Sequence, residues 1–348
     1  MTRFKNLPLS DALAAVVALG EPKFRASQII KWAYQRRLDS FEAMTNISNE
    51  SKKRLGAAFS LEKMVVEATL ASKENDAVKF GFKLIDSDDM VESVLLIDGK
   101  RRTACLSSQL GCGLKCAFCA TGAMGFIRNL TLDEVVGQLI GINDYLAAHN
   151  DHMVTHIVFM GMGEALSNFE VFIAACEIIS NNDGFALSAH RITVSTAGVV
   201  PSIERLGREG PDVNLAISLN GHSNDQRGKY MPINRTYPIE TVVAAGCAYA
   251  TAKKHELTFE YVVIPGENDT PAAINALTKL LHGVPCKMNC IPLNRNPGNV
   301  GSVPDYETVQ KFSDALVAHG ILATVRRSRG GDIEGACGQL AGKRRGDA

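Results

Sequence analysis

The chain has 348 residues, of which 46% are hydrophobic, and its 37 Lys and Arg balance 37 Asp and Glu to a formal net charge of zero. This composition predicts a globular protein with a sizeable core. No apolar run approaches about 18 residues, which excludes a membrane-spanning chain. The zero net charge also excludes the overall positive charge that is typical of nucleic-acid-binding proteins. The nine cysteines are odd in number and follow no apolar signal segment, so they argue against a disulfide framework and predict a reducing, cytoplasmic location.

Residues 1–60 are predicted to form a small helical accessory domain with a basic surface. Three helices are predicted there, over 10–20, 23–38 and 48–59. The segment carries ten Lys and Arg against five Asp and Glu, and residues 321–348 carry six against three. These two basic ends could form one phosphate-facing surface if they meet in space, although charge alone favours an ordinary solvated surface.

Residues 61–100 are predicted to form a β-hairpin extension. Strands are predicted over 78–84 and 90–97, and the turn signal Asp98-Gly99 precedes a return strand over 102–107. This return strand leads directly into the next domain.

Three cysteines follow the return strand. Cys112, Cys116 and Cys119 have CxxxCxxC spacing and no nearby fourth cysteine. Three thiolates can hold three irons of a [4Fe–4S] cluster and leave the fourth iron open, whereas an electron-transfer cluster has cysteine at every corner. An open iron can be chelated by the amino acid end of S-adenosylmethionine (SAM), so the spacing indicates radical chemistry. A structural zinc site remains the alternative, but it would require a fourth ligand, usually from a second cysteine pair.

Strands and helices alternate along the rest of the chain. After the first strand, further strands are predicted over 155–160, 191–195, 214–219, 258–264 and 286–291, with helices between them. Six β/α units predict a parallel sheet, and two missing units predict an open, partial β6/α6 TIM-like barrel over 101–300. Residues 301–348 are predicted to add a helix, a last strand and a segment that carries Cys337.

Unusual polar segments follow the ends of these strands, where α/β barrels carry their active sites. The segments are Gly161-Met-Gly-Glu164, Ser195-Thr-Ala-Gly198, Ser218-Leu-Asn220 and Asn294-Arg-Asn-Pro-Gly298. The glycines would let the backbone approach the SAM amino group, and Glu164 would balance its charge. Ser195, Ser218 and Asn294 suit the ribose and carboxylate of SAM. Any one segment alone is equally explained as a turn or a strand-end cap.

Two further cysteines have polar surroundings. Cys105 lies on the strand that leads into the three-cysteine loop, and Cys337 lies in a glycine-rich segment soon after Arg326, Arg327 and Arg329. Nearby cations lower the pKa of a thiol and make it a better nucleophile. The sequence therefore predicts chemistry for these two cysteines, and packing for Cys176, Cys247, Cys286 and Cys290.

The combined motifs resemble those of the radical-SAM RNA adenine methyltransferases, the RlmN/Cfr family. The resemblance is carried by residues 105–112, Cys116 and Cys119, Met160-Gly-Met-Gly-Glu164 and Ala336-Cys337-Gly-Gln-Leu340, and it extends from about Gly20 to Leu340. It implies a radical-SAM barrel and methylation of an adenine carbon in ribosomal RNA.

The resemblance also implies roles for individual residues. Cys112, Cys116 and Cys119 would bind one three-cysteine [4Fe–4S] cluster. The residues that would bind SAM are Gly163, Glu164, Ser195, Ser218, Leu219, Asn220 and Asn294. Cys337 would receive a methyl group, Cys105 would be its partner, and Glu92 would accept a proton.

The implied reaction consumes two SAM molecules in each turnover. One SAM methylates Cys337, and the second gives a 5′-deoxyadenosyl radical that takes hydrogen from the S-methyl group. The carbon radical adds to adenine, the adduct loses a proton, and Cys105 releases the product by attacking Cys337. The implied partners are 23S rRNA, tRNA and an external flavodoxin-like or ferredoxin-like electron donor. Arg36, Arg37 and the Arg326–Arg329 segment are candidates for phosphate contact.

Alternatives to C2 methylation remain open at this stage, and one of them is a radical-SAM enzyme that acts on a peptide and not on RNA. The resemblance favours methylation of C2 of adenine 2503 in 23S rRNA and of C2 of adenine 37 in tRNA. Ala165 and residues 185–188 instead resemble the branch that methylates C8 of the same ribosomal adenine and confers antibiotic resistance. An iron–sulfur RNA-binding or redox-sensing protein without turnover would also use a pair such as Cys105 and Cys337.

Overall fold

The computed structural model describes residues 1–296 and 301–342, and a ten-stranded sheet forms its centre. The strands are β1 (Thr2–Arg3), β2 (Phe59–Ser60), β3 (Val65–Ala71), β4 (Ala77–Lys83), β5 (Met90–Asp98), β6 (Arg101–Cys105), β7 (Gln109–Gly111), β8 (Phe126–Asn129), β9 (His156–Phe159), β10 (Ile192–Thr196), β11 (Asn214–Ser218), β12 (Leu257–Val263), β13 (Cys286–Pro292) and β14 (Leu322–Val325). The helices are α1 (Leu9–Ala18), α2 (Lys23–Tyr34), α3 (Asn49–Ala58), α4 (Ala120–Ala123), α5 (Leu132–Ala148), α6 (Phe169–Ser180), α7 (Val200–Glu209), α8 (Asn224–Tyr230), α9 (Ile239–Lys253), α10 (Pro271–Leu280) and α11 (Tyr306–Ala318).

The strand order of the main sheet is β14-β13-β12-β11-β10-β9-β6-β5-β4-β3. The strands from β6 to β14 in this order pair in parallel, and helices connect them. Six β/α units therefore run from β6 to α11, with β14 as an added last strand. Because β14 and β3 lie at opposite ends of the order, the sheet does not close, which confirms the predicted open barrel.

Successive side chains of the parallel strands point to opposite sides of the sheet, so the barrel has a buried outer face and a polar inner face. Ile192 and Val194 of β10 belong to the core beneath the helices, whereas Thr193 and Ser195 line internal cavities. A closed barrel fills its interior with bulky branched side chains. This open barrel instead keeps an interior that can admit ligands.

An antiparallel extension continues the sheet beyond β6. Strands β5, β4 and β3 pair successively in antiparallel fashion, with Leu95 opposite Ala104 where β5 meets β6. Strand β3 was not predicted, because all seven of its residues are exposed at the sheet edge and give no buried alternation. The division of the chain at residues 60, 100 and 300 remains a prediction.

The three helices predicted at the N-terminus are present as α1, α2 and α3, and they share one continuous core with the barrel. Lys5 is buried between them, and its Nζ donates to the carbonyls of Leu61 at 2.7 Å and Leu38 at 3.0 Å. Arg37 forms a 2.7 Å ion pair with Asp144 of α5. Arg37 therefore links these helices to the barrel, whereas Arg36 is exposed, and contact of either residue with RNA phosphate remains a prediction.

Helix α5 is the longest helix, with 17 residues. The Glu134 carboxylate accepts the backbone N–H of Thr131 at 2.9 Å and so caps its first turn. Within the described part of the chain, no helix has both the length and the apolar character needed to cross a bilayer.

Candidate active site

The three-cysteine loop lies inside a small hairpin formed by β7 and β8. Gly111 ends β7 with φ of +72°, and a Cβ there would lie 1.8 Å from the carbonyl oxygen of Gly125. Only glycine fits this approach. The next residue, Cys112, donates its N–H to that same carbonyl at 2.9 Å, which fixes where the loop begins.

Distant segments hold the rest of the loop. The N–H of Ala117 donates to the Tyr230 carbonyl at 2.8 Å, and the N–H of Ala120 donates to the Gly338 carbonyl at 2.8 Å. The Asn296 side chain donates to the Phe118 carbonyl at 2.8 Å. The contact with Gly338 places the loop against residues 326–342, which we call the C-terminal segment.

The three thiols face one cavity of about 170 Å³, the smaller cavity. Predicted site residues that also line it are Gly163, Glu164, Ser195, Ser218, Asn220, Asn294 and Cys337. Among the residues predicted to bind SAM, Leu219 alone does not line it, because its side chain is fully buried in the core. Its backbone instead links neighbouring strands, since its N–H donates to the Glu260 carbonyl.

The donor set fits a [4Fe–4S] cluster. The Cys116 thiol is close enough to Cys112 and Cys119 for each of them to raise its pKa, after the larger effect of burial. Burial also raises the pKa of the Cys112 thiol to about 11. Neutral thiols gathered around one cavity ionise when a metal binds them, and three of them from one loop match a cluster with an open iron.

Glu164 is the buried carboxylate of the smaller cavity. Its Oε2 accepts the Ala197 N–H at 2.8 Å, and burial raises its pKa to about 7 despite this hydrogen bond. A cation beside it would favour the ionised form. The residue therefore suits an ammonium group such as that of SAM.

Close packing explains why glycine occupies positions 161 and 163 before Glu164, and the sequence did not reveal this packing. A Cβ on Gly163, whose φ is +95°, would lie 2.5 Å from the Gln109 Cβ, and a Cβ on Gly161 would lie 2.5 Å from the Ser107 Oγ. Both glycines therefore allow the turn after β9 to pack against residues 106–109. Gly161 and Gly163 also line the smaller cavity.

Asn220 is held in place by the next strand of the barrel. It lies in the left-handed region with φ of +50°, and its Oδ1 accepts the Val262 N–H at 2.8 Å. Among residues 1–296 and 301–342, the one hydrogen-bond acceptor of its Nδ2 is the Met231 sulfur, at 3.4 Å. A weak sulfur acceptor leaves this amide available to a better acceptor on a ligand.

Cys105 and Cys337 both line a second, larger cavity of about 810 Å³, which occupies the inner face of the barrel. Cys105 is buried at the end of β6, and burial together with the nearby Cys337 raises the pKa of its thiol to about 12. Cys337 lines both cavities. Desolvation raises the pKa of the Cys337 thiol more than Arg326 lowers it, and the lowering by Arg326 is the effect predicted for a neighbouring arginine.

Glu92 lies beside the C-terminal segment and lines neither cavity. Its Oε1 is 3.1 Å from Lys79 Nζ, and its Oε2 accepts the N–H groups of Ala341 at 2.9 Å and Gly342 at 3.2 Å. In this structure the carboxylate therefore holds the C-terminal segment, and its role as proton acceptor remains a prediction.

Sequence reasoning missed Arg227, a fully buried arginine of α8. Its guanidinium donates to the carbonyls of Leu219 and Ala197, at 2.9 and 2.6 Å, and burial lowers its pKa to about 10. It thereby joins the loops that follow β10 and β11. The polar residues around it in the sequence predict an exposed helix, so no local pattern reveals this role.

Comparison with known proteins gives matches over nearly the whole chain. The family model for the ribosomal RNA large subunit methyltransferase N-terminal domain matches residues 6–61, and the radical SAM superfamily model matches residues 106–274. The chain is 43% identical over 327 residues to the dual-specificity RNA methyltransferase RlmN of Halorhodospira halophila, covering 93% of this chain and 89% of that protein. It is 40% identical over 324 residues to the probable dual-specificity RNA methyltransferase RlmN 2 of Protochlamydia amoebophila, covering 93% and 90%.

A solved structure matches as well. A radical SAM methyltransferase from Sphaerobacter thermophilus superposes with a TM-score of 0.92 at 38% identity, covering 98% of this chain and 99% of that one. The similarity therefore includes the accessory helices, the extension and the barrel.

Proposed function

The chain belongs to the RlmN family of radical SAM RNA methyltransferases, and on that premise we propose that it methylates C2 of adenine 2503 in 23S rRNA and C2 of adenine 37 in tRNA. The observation that carries the proposal is the position of Cys337. This thiol lines the smaller cavity with the three loop cysteines and the larger cavity with Cys105. One sulfur can therefore meet both a SAM methyl group and an RNA base.

The smaller cavity provides the cofactor site. Cys112, Cys116 and Cys119 would hold the cluster, and Glu164 would bind the SAM ammonium. Ser195, Ser218, Asn220 and Asn294 would orient the ribose and carboxylate, with Gly163 and the Leu219 backbone shaping the wall. When bound, the cluster and SAM supply a 5′-deoxyadenosyl radical.

Cys337 carries the transferred carbon. Its sulfur takes a methyl group by displacement from one SAM; this methyl group loses a hydrogen atom, and its carbon then bonds to adenine C2. The resulting adduct radical gives up the C2 proton, for which Glu92 is the proposed acceptor, and one electron, which the oxidised cluster would take up. Adenine C2 lies between two ring nitrogens and is electron-poor, so direct methyl transfer from a sulfonium would fail there.

Cys105 completes the turnover. It attacks the Cys337 sulfur, the sulfur–carbon bond breaks, and the released carbon takes a proton to become the methyl group. The Cys105–Cys337 disulfide then needs two electrons from an external reductant before the next turnover. The reductive cleavage of SAM needs one electron from a donor such as a flavodoxin-like or ferredoxin-like protein.

The test is anaerobic incubation of the reconstituted protein with SAM, reductant and either a 23S rRNA fragment or tRNA, followed by nucleoside mass spectrometry. We expect 2-methyladenosine from both RNAs, 5′-deoxyadenosine, and a methyl group on Cys337. 8-Methyladenosine would show the alternative regiochemistry. A protein that binds RNA and yields neither methyladenosine would be a non-catalytic binder or redox sensor.

A further inference from the structure

Glu260 is a buried carboxylate at the junction of the two cavities. It lies in the middle of β12, is 5% exposed, and lines both the smaller and the larger cavity. Cys337 and Arg326 also line both cavities. Glu260 therefore faces the space in which the carbon on Cys337 has to meet its acceptor.

Neighbouring strands fix the orientation of this carboxylate. The Thr324 hydroxyl donates to Asn289 Oδ1 at 3.1 Å, and Asn289 Nδ2 donates to Glu260 Oε1 at 3.0 Å. Arg326 Nη1 lies 3.5 Å from the same Oε1. Three consecutive strands, β12, β13 and β14, thus supply a relay that ends on one oxygen of Glu260.

The other oxygen, Oε2, has no hydrogen-bond partner in the described part of the chain. Within residues 1–296 and 301–342, Glu260 Oε2 is the only buried carboxylate oxygen without a hydrogen bond. Burying an acceptor without a donor costs about 1–3 kcal/mol, more for a charged group, so native proteins rarely leave one unsatisfied. A fixed, unsatisfied acceptor beside the reacting sulfur indicates a donor on the substrate.

We propose that Glu260 Oε2 accepts a hydrogen bond from the exocyclic amino group of the target adenine. This inference rests on the proposed function and names the residue that recognises the base. The N6 amino group is the only donor on the adenine ring, whereas guanine presents an acceptor at that position and would be repelled. Bases drawn out of a stack are recognised through the same edge.

The neighbouring arginine complements this arrangement. Adenine N1 is an acceptor and lies between C6, which bears the amino group, and C2. Arg326 Nη1 lies beside Glu260 and is a donor for N1. A base held by these two groups would present the C2 edge of its ring next to Cys337. The SAM-orienting residues Ser195, Ser218, Asn220 and Asn294 line only the smaller cavity, which separates them from this role.

The test uses Glu260→Gln in the holoenzyme and two RNAs that differ by one group. The relay from Asn289 forces the carbonyl of the introduced glutamine toward Asn289, so the amide nitrogen would face the base and oppose its amino group. The RNAs carry either adenosine or purine riboside, which lacks the amino group, at the target position. We expect the wild type to prefer adenosine by roughly 10- to 100-fold in kcat/KM, and the variant to lose that preference.

Glu177→Gln is the matched control. Glu177 is an exposed carboxylate on α6 and lines neither cavity. We expect this variant to keep the wild-type preference. Iron content and SAM-dependent methylation of Cys337 show that each variant is folded and loaded.

Two results would overturn the assignment. If Glu260→Gln slows both RNAs equally and keeps the preference, Glu260 does not contact the amino group. The same holds if the wild type shows no preference. If the wild type methylates neither RNA, the proposed function fails and the inference fails with it. The wild-type reaction alone therefore separates failure of the proposed function from failure of the role of Glu260.

Discussion

The Glu92 carboxylate accepts the backbone N–H of Ala341 at 2.9 Å and so ties the extension to the C-terminal segment. Cys337 lies four residues earlier on that segment, and the Asn294 side chain donates to its carbonyl at 3.0 Å. The position of the reacting sulfur therefore depends on contacts with two distant parts of the chain.

This contact predicts separable effects of two substitutions at Glu92. Glu92→Gln keeps an acceptor for Ala341, so methylation of Cys337 by SAM should stay within about threefold of wild type, whereas loss of a proton acceptor should lower RNA methylation roughly 100-fold. Glu92→Ala should lower both. Peptide and nucleoside mass spectrometry measure the two steps. Full RNA methylation by Glu92→Gln would exclude the proton role, and normal Cys337 methylation in Glu92→Ala would exclude the tether.

Cys105→Ala should trap the RNA on the protein. Without the second thiol the carbon–sulfur bond cannot be broken by disulfide exchange, so a covalent adduct at Cys337 should accumulate to near one per protein. Denaturing gel electrophoresis with labelled RNA measures it. Cys247→Ala is the control, because Cys247 lies half-buried on α9 away from both cavities. Equal amounts of adduct in both variants would contradict the role of Cys105.

Glu164→Gln should weaken SAM binding by about 30-fold, since removing one partner of a buried charge pair costs at least about 2 kcal/mol. The dependence of 5′-deoxyadenosine formation on SAM concentration measures this. Glu177→Gln, an exposed carboxylate on α6, should behave as wild type. Unchanged SAM dependence in Glu164→Gln would show that the ammonium binds elsewhere.

Gly163→Ala should lower the free energy of unfolding by about 3 kcal/mol, because it adds a left-handed backbone penalty of about 1–2 kcal/mol to a collision with Gln109. Gly266→Ala separates the two effects. Gly266 has φ of +73°, but a Cβ at this position would meet no described atom within 4 Å, so only the backbone penalty applies. Chemical denaturation measures both variants. Equal destabilisation would mean that Gln109 moves away at little cost.

Lys5 should make stability depend on pH. Burial lowers its pKa from 10.5 to about 8, so the folded state binds fewer protons than the unfolded state between these values, and the contribution of Lys5 to stability rises with pH in that window. The stability difference between wild type and Lys5→Met should change by about 2 kcal/mol in favour of wild type from pH 7 to about 9.5. Urea denaturation at both pH values measures it; a constant difference would contradict burial of the amine.

Part of this architecture can be predicted from local patterns in the amino-acid sequence. The spacing of Cys112, Cys116 and Cys119 needs no tertiary information, because one short loop carries all three thiols. The alternation of β10 and β11 with their helices predicts parallel strands, and the ends of parallel strands meet at one edge. Local pattern is therefore enough to predict that Ser195, Ser218 and Asn294 lie together.

Other structural features could not be predicted from the local sequence. Arg227 lies in a polar stretch and is nevertheless fully buried, because it satisfies carbonyls from two other loops. Arg37 resembles a free surface cation but pairs with Asp144. Strand β3 is exposed on every residue and is defined only by its hydrogen bonds to β4.

The sequence by itself determined the cysteine loop, the alternating strands and helices of the barrel and the family, because these depend on neighbours along the chain. Only the tertiary structure decided that Cys337 lies between two cavities, that Glu92 holds the C-terminal segment and that one oxygen of Glu260 is left without a donor. Each of those facts joins residues that are far apart in the chain, and burial and hydrogen bonding between such residues are set by packing.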